Sequence, residues 1–424
     1  MSKSPYETEY LKIIKEELVP ALGCTEPIAV AFAAAKCREL LGCLPDKVIL
    51  ACNGGLIKNI SCVVVPNTGN LVGIEASALA GIVGGDSELG LEVLTTLAPH
   101  HLPEIKRLLK ASICEVRLLD TTLALHFTVM CQKGGQSAEV EIKNLHTNIT
   151  TMKKNGKVIF KAKEEEGKYY GVMTNRNILR VDKIIEFAEL TPISILKDIF
   201  SAQVEYNMQV ATDGIENDYG VSIGKAILEN DKSLFGKIKA YSAAASEARM
   251  CGSILPVITN SGSGNQGIAA SVPVILYARE KGFPEEKMFR ALAVSNLLTI
   301  YQKSHIGRLS AFCGAVSAAC GAGAAITYLE GGDIEQIKMT ITNALANVSG
   351  IVCDGAKNSC SSKIASGLEA AFIGHFLAMR RQSFNPFSGV LRKDADDTIS
   401  AVGRIATDGM KDTDRVILEI MLEK

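Results

Sequence analysis

The sequence lacks an excess of charge of either sign and has few aromatic residues. Its 45 Lys and Arg residues balance 46 Asp and Glu residues, Trp is absent, and aromatic residues make up 5%. Without a basic excess, neither nucleic acid nor an anionic membrane surface is an expected partner. The polar start MSKSPYETEY is not followed by the apolar region of a signal peptide, so we expect a cytoplasmic protein.

Several familiar site motifs are also missing. The sequence has no Walker loop, no HExxH, no Ser-His-Asp arrangement and no convincing lysine motif for pyridoxal phosphate. No CxxC pair and no ferredoxin spacing occur, which disfavours a zinc ribbon and a ferredoxin. The twelve cysteines, without an export signal, are therefore expected to be reduced thiols rather than a disulfide scaffold.

One uncharged segment has the length of a membrane span. It covers residues 309–329 and consists mostly of Ala, Gly, Ser and Cys. These residues are weakly hydrophobic, and Arg308 and Glu330 flank the run. The composition predicts a helix buried in a tight bundle, and no membrane association.

The hydrophobic periodicity predicts an α+β fold. The residues 7–43 have helical spacing, which is broken at PALGCTEP. The segments KVILAC and SCVVVP are typical of strands, and NGGLIKN between them is typical of a turn. Short alternating strands follow between 114 and 162. We expect an antiparallel or mixed sheet with flanking helices, and a large, mostly helical domain that carries the cysteine ligands. The expected division is N-terminal helices packing with the helical domain (1–43), an α+β domain (44–165), a connector (166–180) and a helical catalytic domain (181–424).

Three cysteines in Gly-rich surroundings are candidate metal ligands. Cys313 precedes Cys353 by 353 − 313 = 40 residues, and Cys360 follows after 360 − 353 = 7. By spacing alone, buried thiols and a metal site both remain open. Three thiolates on a four-iron cluster would leave one iron open as a Lewis acid. A second group of cysteines in apolar or strand-like surroundings is predicted to be buried and inert: Cys37, Cys43, Cys52, Cys62, Cys114, Cys131 and Cys251.

Cys24 lies directly before Thr25-Glu26-Pro27, where a helix is expected to begin with Thr25 or Glu26 as its cap. A thiol at a helix N-terminus is expected to have a lowered pKa. Cys24 is therefore a candidate base, nucleophile or fourth ligand, and a partly buried thiol near a bend is the alternative.

Two further stretches are candidates for substrate binding. TNSGSGNQG contains a GxGxxG pattern without the strand and acidic partner of a dinucleotide fold, so we interpret it as a turn that either binds a carboxylate or caps a helix. YQKSHIGRLSAFCG is either a cationic site or a solvated helix end. The candidates are Asn260, Ser261, Ser263, Asn265, Lys303, His305 and Arg308.

Five segments together resemble the L-cysteine desulfidase family, which is related to the α-chain of the iron–sulfur L-serine dehydratases. They are GCTEPIA, KNISCVVVPNTG, TNSGSGNQG, GRLSAFCGAVSAACGAG and GIVCDGAKNSC, in the same order along almost the whole chain. The resemblance implies an oxygen-labile [4Fe–4S] cluster on Cys313, Cys353 and Cys360, with Cys24 as the proton acceptor. The seven-residue gap and the cysteine-free stretch RVILEIMLEK side with the desulfidases rather than the dehydratases.

The resemblance further implies an α,β-elimination that converts L-cysteine into hydrogen sulfide, ammonia and pyruvate. An iron–sulfur L-serine dehydratase, a cysteine- or metal-binding regulatory protein and a zinc protein on the same thiolates are the alternatives. The expected partner is a small amino acid, and a homo-oligomer is compatible with the sequence.

Overall fold

A computed structural model describes residues 6–121, 123, 125–162, 174–307 and 309–423. The strands are β1 (Pro20–Leu22), β2 (Lys47–Cys52), β3 (Cys114–Leu118), β4 (His126–Lys133), β5 (Gln136–Lys143), β6 (Ile149–Lys154), β7 (Lys157–Lys161) and β8 (Pro256–Ile258). The first helices are α1 (Glu7–Glu17), α2 (Thr25–Leu41), α3 (Gly54–Ile60), α4 (Ile74–Gly84), α5 (Leu102–Lys110), α6 (Val181–Leu190), α7 (Ile193–Glu216) and α8 (Ile223–Asn230). The remaining helices are α9 (Leu234–Met250), α10 (Gly264–Glu280), α11 (Glu285–Ile306), α12 (Gly314–Leu329), α13 (Ile334–Val348), α14 (Cys360–Met379), α15 (Ala395–Arg404) and α16 (Lys411–Leu422).

Most of the N-terminal half is built on a mixed sheet with the strand order β3-β2-β4-β5-β6-β7. Strand β2 runs parallel to β3, and the other neighbours are antiparallel. Alternate residues of β4 (Phe127, Val129 and Cys131) are fully buried, and α2 packs on this face. The α+β class predicted from the sequence is confirmed.

The segment after β2 differs from the prediction. NGGLIKN forms helix α3 rather than a turn, because Leu56 and Ile60 lie four residues apart and are both buried in the sheet core. SCVVVP is not a strand; Val64 pairs with Val72 only as an isolated bridge. Pro66 ends this run and has no N–H with which to continue a ladder.

The second core is helical, and α12 lies at its centre. Every residue of α12 is buried, in contact with α10, α11, α13 and α14. Its glycines permit this close packing: a Cβ on Gly321 would lie 2.8 Å from the carbonyl oxygen of Ser295. The predicted buried helix is thus confirmed, and none of the described helices is long and apolar enough to cross a membrane.

A small antiparallel pair, β1 with β8, joins the segment before α2 to the segment before α10. The sequence pattern indicated no strand at either place. Helix α1 packs in the helical core, whereas α2 packs on the sheet. Helix α2 is buried over most of its length and covers β4 and β5. The pairing of β1 with β8 places the start of α2 beside the loop before α10.

Candidate active site

A cavity of about 90 Å³ lies where the two cores meet. Four helices start at its wall: α2 after Cys24, α10 after Ser263, α12 after Cys313 and α14 with Cys360. Helix N-termini present unsatisfied N–H groups and partial positive charge, which favour thiolates and anionic ligands. The cavity is therefore suited to negatively charged groups.

Three of the thiols predicted as ligands line this cavity together: Cys313, Cys353 and Cys360. The loops before α12 and α14 are paired through an antiparallel bridge between Phe312 and Val352. In this pair the N–H of Cys313 donates to the carbonyl oxygen of Ile351 at 3.0 Å, and the N–H of Cys353 donates to that of Ala311 at 2.6 Å. Backbone pairing thus brings together cysteines that are forty residues apart in sequence.

The surroundings of these thiols act on their charge in opposite directions. Burial, followed by the neighbouring Cys353 and Cys360, raises the pKa of Cys313 to about 12, and burial raises the pKa of Cys360. The Lys363 ammonium opposes both effects. Burial would lower the pKa of Lys363, but its hydrogen bond to Asp354 and the nearby Cys313 and Cys360 raise it. Metal binding must therefore displace thiol protons, and Lys363 favours that loss.

The donor set, three thiols that line one cavity, is of the kind that holds an iron–sulfur cluster. No group of three His, Cys, Asp or Glu side chains in the described ranges is arranged to hold one metal ion, although three thiols share the cavity wall. Gly314 allows close approach beside Cys313, since a Cβ there would lie 2.6 Å from Nε2 of Gln266. Cys313, Cys353 and Cys360 are the residues that would hold a cluster.

Cys24 lines the same cavity, and the pKa of its thiol is shifted in the direction opposite to the prediction. Cys24 itself, rather than the predicted Thr25 or Glu26, is the N-cap of α2; it is 2% exposed and packs against Val63 and Met250. Burial, with the nearby Glu26 carboxylate, raises its pKa well above the usual value. The predicted lowering was wrong because burial can shift a pKa by several units, whereas a helix terminus contributes only about 1 kcal/mol, less than one unit.

Glu26 is the hydrogen-bond partner of Cys24 and lines the cavity itself. The Cys24 thiol donates to Glu26 Oε2 at 3.1 Å, Thr25 Oγ1 donates to the same atom at 3.0 Å, and Asn59 Nδ2 donates to Oε1 at 3.2 Å. Burial would raise the pKa of Glu26, but His146 and these hydrogen bonds outweigh it and lower the pKa. The pair at rest is therefore a protonated thiol beside a carboxylate.

Arg249, at the end of α9, brings a buried cation to the cavity. It is 2% exposed, and its Nη1 donates to Oδ1 of Asn265 at 2.7 Å. Within the described part of the chain, its Nε has no hydrogen-bond partner, and neither do Oδ1 of Asn59 and Oε1 of Gln266. All three side chains line the cavity. Buried polar atoms without partners are costly, so they indicate a site for a polar ligand.

The TNSGSGNQG loop divides into lining and supporting residues. Ser261, Ser263 and Asn265 line the cavity, and the carbonyl oxygen of Gly262 accepts from Thr25 Oγ1 at 2.8 Å. Asn260 is fully buried and does not line the cavity; its Nδ2 donates to Oδ1 of Asn296 at 2.9 Å. The loop is both the cap of α10 and part of the cavity wall, so the two interpretations of its sequence are compatible.

The predicted cationic stretch is only partly at the cavity. Lys303 is buried and lines it. His305 does not: it contacts the Tyr301 ring at 5.3 Å between centroids, and Gly403 packs against its backbone. Arg308 lies outside the described residues.

The prediction of inert buried thiols was wrong for Cys43 and Cys62, which are exposed because they lie in the turns after α2 and α3.

Sequence reasoning missed several cavity residues: Glu26, Asn59, His146, Arg249 and Gln266. Glu26 belongs to GCTEPIA, and its place two residues after Cys24 was an available signal. Arg249 lies in the Ala-rich stretch AAASEARM, where a lone arginine among small residues is consistent with a buried functional group.

Comparisons with known proteins identify the family of this chain. The family model described as "Serine dehydratase alpha chain" matches residues 103–419. This chain belongs to the serine dehydratase alpha chain family. It is 46% identical to a UPF0597 protein of Treponema denticola, covering 100% of this chain and 99% of that one. It is 48% identical to a UPF0597 protein of Lachnoclostridium phytofermentans, covering 97% and 99%.

Family membership implies a lyase of the serine dehydratase type and suggests an iron–sulfur cluster as its cofactor. Cys313, Cys353 and Cys360, which line one cavity, are the residues that would hold it.

Proposed function

We propose that the protein is an L-cysteine desulfidase that eliminates hydrogen sulfide from L-cysteine, with ammonia and pyruvate as the further products. The observation that carries the proposal is one cavity lined both by the three thiols Cys313, Cys353 and Cys360 and by Cys24, Glu26 and Arg249. An elimination needs both a group that accepts the Cα proton and a group that stabilises the leaving sulfide.

We assign the cofactor as a [4Fe–4S] cluster held by Cys313, Cys353 and Cys360. When bound, it supplies an iron without a protein thiolate that acts as a Lewis acid toward a substrate sulfur or oxygen. Oxygen is expected to abolish activity, because such an iron is readily lost.

Arg249 is the residue that we assign to the substrate carboxylate. Its guanidinium is buried, close to Cys24 and Glu26, and its Nε lacks a partner among the described residues. A guanidinium binds a carboxylate with paired hydrogen bonds, so it would fix the Cα atom relative to Cys24. Cys24 is the residue that we assign to the Cα proton.

An L-serine dehydratase is the second candidate, favoured by the family model itself. The desulfidase has two supports: the seven-residue gap between Cys353 and Cys360, and the placement of the C-terminal helix. Helix α16 packs against α3, and none of its described residues lines the cavity. The described residues of α16 therefore differ in role from the cysteine near the C-terminal end that, by the family resemblance, inserts into the active site of the dehydratases.

The test is turnover under strict anaerobiosis after iron and sulfide have been quantified. Pyruvate should form from L-cysteine faster than from L-serine, with D-cysteine as the inactive control. Faster turnover of L-serine would assign the dehydratase instead. An iron-loaded protein that forms pyruvate from neither amino acid would exclude both candidates, and cysteine binding without turnover would favour a regulatory protein.

A further inference from the structure

We propose that Glu26 is the proton acceptor behind Cys24: its carboxylate takes the thiol proton of Cys24 while Cys24 takes the Cα proton, and then protonates the departing sulfide. This inference rests on the proposed function. It deepens that function because it names the residue that makes Cys24 competent as a base. The observation behind it is the 3.1 Å contact between Cys24 Sγ and Glu26 Oε2 inside the cavity.

Cys24 by itself cannot begin the reaction. A thiol buried against Val63 and Met250 holds its proton, and only the thiolate accepts a proton from carbon. The thiol proton is already directed at a carboxylate oxygen, so an acceptor for it is in place. Transfer to Glu26 would generate the thiolate inside the closed site, without a base from solvent.

The surroundings of Glu26 hold its carboxylate in place and ionised, which leaves an oxygen able to accept the thiol proton. Thr25 and Asn59 donate to the carboxylate, and they hold its oxygens in place. Charged or titratable groups face it from several elements: Cys24 at the start of α2, His146 from the loop between β5 and β6, and Arg249 from α9. His146 and the hydrogen bonds from Cys24 and Thr25 keep the resting carboxylate ionised although it is only 7% exposed.

The proton transfers balance without an additional reactant. The thiol proton moves from Cys24 Sγ to Glu26 Oε2, and the Cα proton then binds Sγ. The electron pair left on Cα forms the Cα=Cβ bond while the Cβ–S bond breaks, and the leaving HS⁻ takes the proton from Glu26. Hydrogen sulfide and aminoacrylate are released, and Cys24 and Glu26 return to thiol and carboxylate.

A purely structural role for Glu26 makes a different prediction. If the carboxylate only anchored Thr25 and Asn59, then Gln would replace it with small loss, because its carbonyl oxygen accepts the same hydrogen bonds. If it only raised the pKa of Cys24 by its charge, Gln would increase the rate at neutral pH. Only a proton acceptor requires the carboxylate for turnover.

The experiment compares the holoprotein with Glu26→Gln, Glu26→Asp and the control Glu39→Gln, which alters a partly exposed carboxylate on the same helix. We expect E26Q to retain iron and a KM within about twofold, with kcat about 100-fold lower at neutral pH and partly recovered as the pH rises. E26D, which keeps an acceptor, should be at least about tenfold faster than E26Q, and E39Q should match the wild type.

Alkylation of Cys24 supplies a readout that is independent of turnover. Removing the negative charge of Glu26 should make the thiolate form at lower pH, so E26Q should react faster with iodoacetamide at Cys24, measured by peptide mass spectrometry. Faster alkylation combined with slower turnover supports the proposal. The proposal is overturned if E26Q has the kcat of the wild type, or if its loss of kcat is proportional to its loss of iron. If E26Q does not fold, the proposal is overturned by an E26D variant that is as inactive as Cys24→Ala. An iron-loaded wild type without turnover overturns the proposed function as well.

Discussion

The two cores of this protein contribute different chemistry to one cavity. The helical core supplies Cys313, Cys353 and Cys360 from helix starts and a paired loop, whereas the sheet core supplies Cys24 and Glu26 on α2. In the proposed reaction the first set of residues stabilises the leaving sulfide, and the second set accepts the Cα proton. The comparison teaches that the two halves of an elimination can be altered separately.

The largest effect is expected from the helical side. Changing Cys313, Cys353 or Cys360 to Ser should remove most of the iron and reduce turnover at least about 1000-fold, since each thiolate is assigned as a ligand. Cys320→Ala is the matched control, because this buried thiol lies on α12 and does not line the cavity. Iron and sulfide analysis measures the result; iron loss in C320A equal to that in the ligand variants would contradict the assignment.

Arg249 allows the next comparison, because its guanidinium is near Cys24 and Glu26 and also near Cys360. Arg249→Lys keeps the positive charge but loses the paired donors, so we expect KM to rise about 30- to 100-fold with unchanged iron, equivalent to about 2–3 kcal/mol. Arg290→Lys is a control at an arginine whose Nη1 donates to the carbonyl oxygen of Ala188. Steady-state kinetics and iron analysis test both variants. An unchanged KM in R249K would place the substrate carboxylate elsewhere.

The same division explains which parts of the site the sequence could predict. The thiols proposed as ligands lie in motifs with unusual Gly, Asp and Ser content, so Cys313, Cys353 and Cys360 could be proposed one by one from the sequence. Their meeting depends on a backbone bridge between Phe312 and Val352, which no local pattern encodes. For β4 and β5, the alternation of apolar and polar residues was sufficient to predict strands, because one face of each strand is buried.

The residues assigned to proton transfer were harder to predict from the sequence, because their properties arise from burial. The position of Cys24 at a helix start was predictable, but its raised pKa depends on packing against residues from distant segments. Arg249 and His146 reach the cavity only through tertiary contacts, and no spacing rule connects them. For α3, the four-residue spacing of Leu56 and Ile60 was available, but the Gly and Asn residues of this stretch favoured a turn.

A smaller effect is expected from the contact between α3 and the loop that carries Cys353. Lys58 on α3 is 3% exposed; its Nζ donates to the carbonyl oxygen of Cys353 at 3.1 Å and pairs with Asp414 of α16. Lys58→Met should loosen this loop, so we expect iron to be lost several-fold faster in air while kcat changes by about twofold or less. Lys225→Met, at a partly exposed ion pair with Asp218, is the control. Equal rates of bleaching in K58M and the wild type would show that the contact does not hold the loop.

The smallest effect on the site is expected from the far side of the sheet, where Glu141 of β5 affects stability alone. Burial would raise its pKa, but hydrogen bonds from Lys143, Thr150, Thr151 and His126 lower it to about 2. Because the folded pKa lies below the unfolded value of about 4.3, this stabilisation is fully present above that value and is lost as the pH falls toward 2. Glu141→Gln should therefore lower the free energy of unfolding by about 1 kcal/mol at pH 7, and the difference should narrow in acid. Urea unfolding at several pH values measures it, with iron content and kcat expected to stay at wild-type levels. A loss of iron in E141Q would mean that the sheet core supports the thiol ligands directly, and the two sides of the cavity would then not be separable.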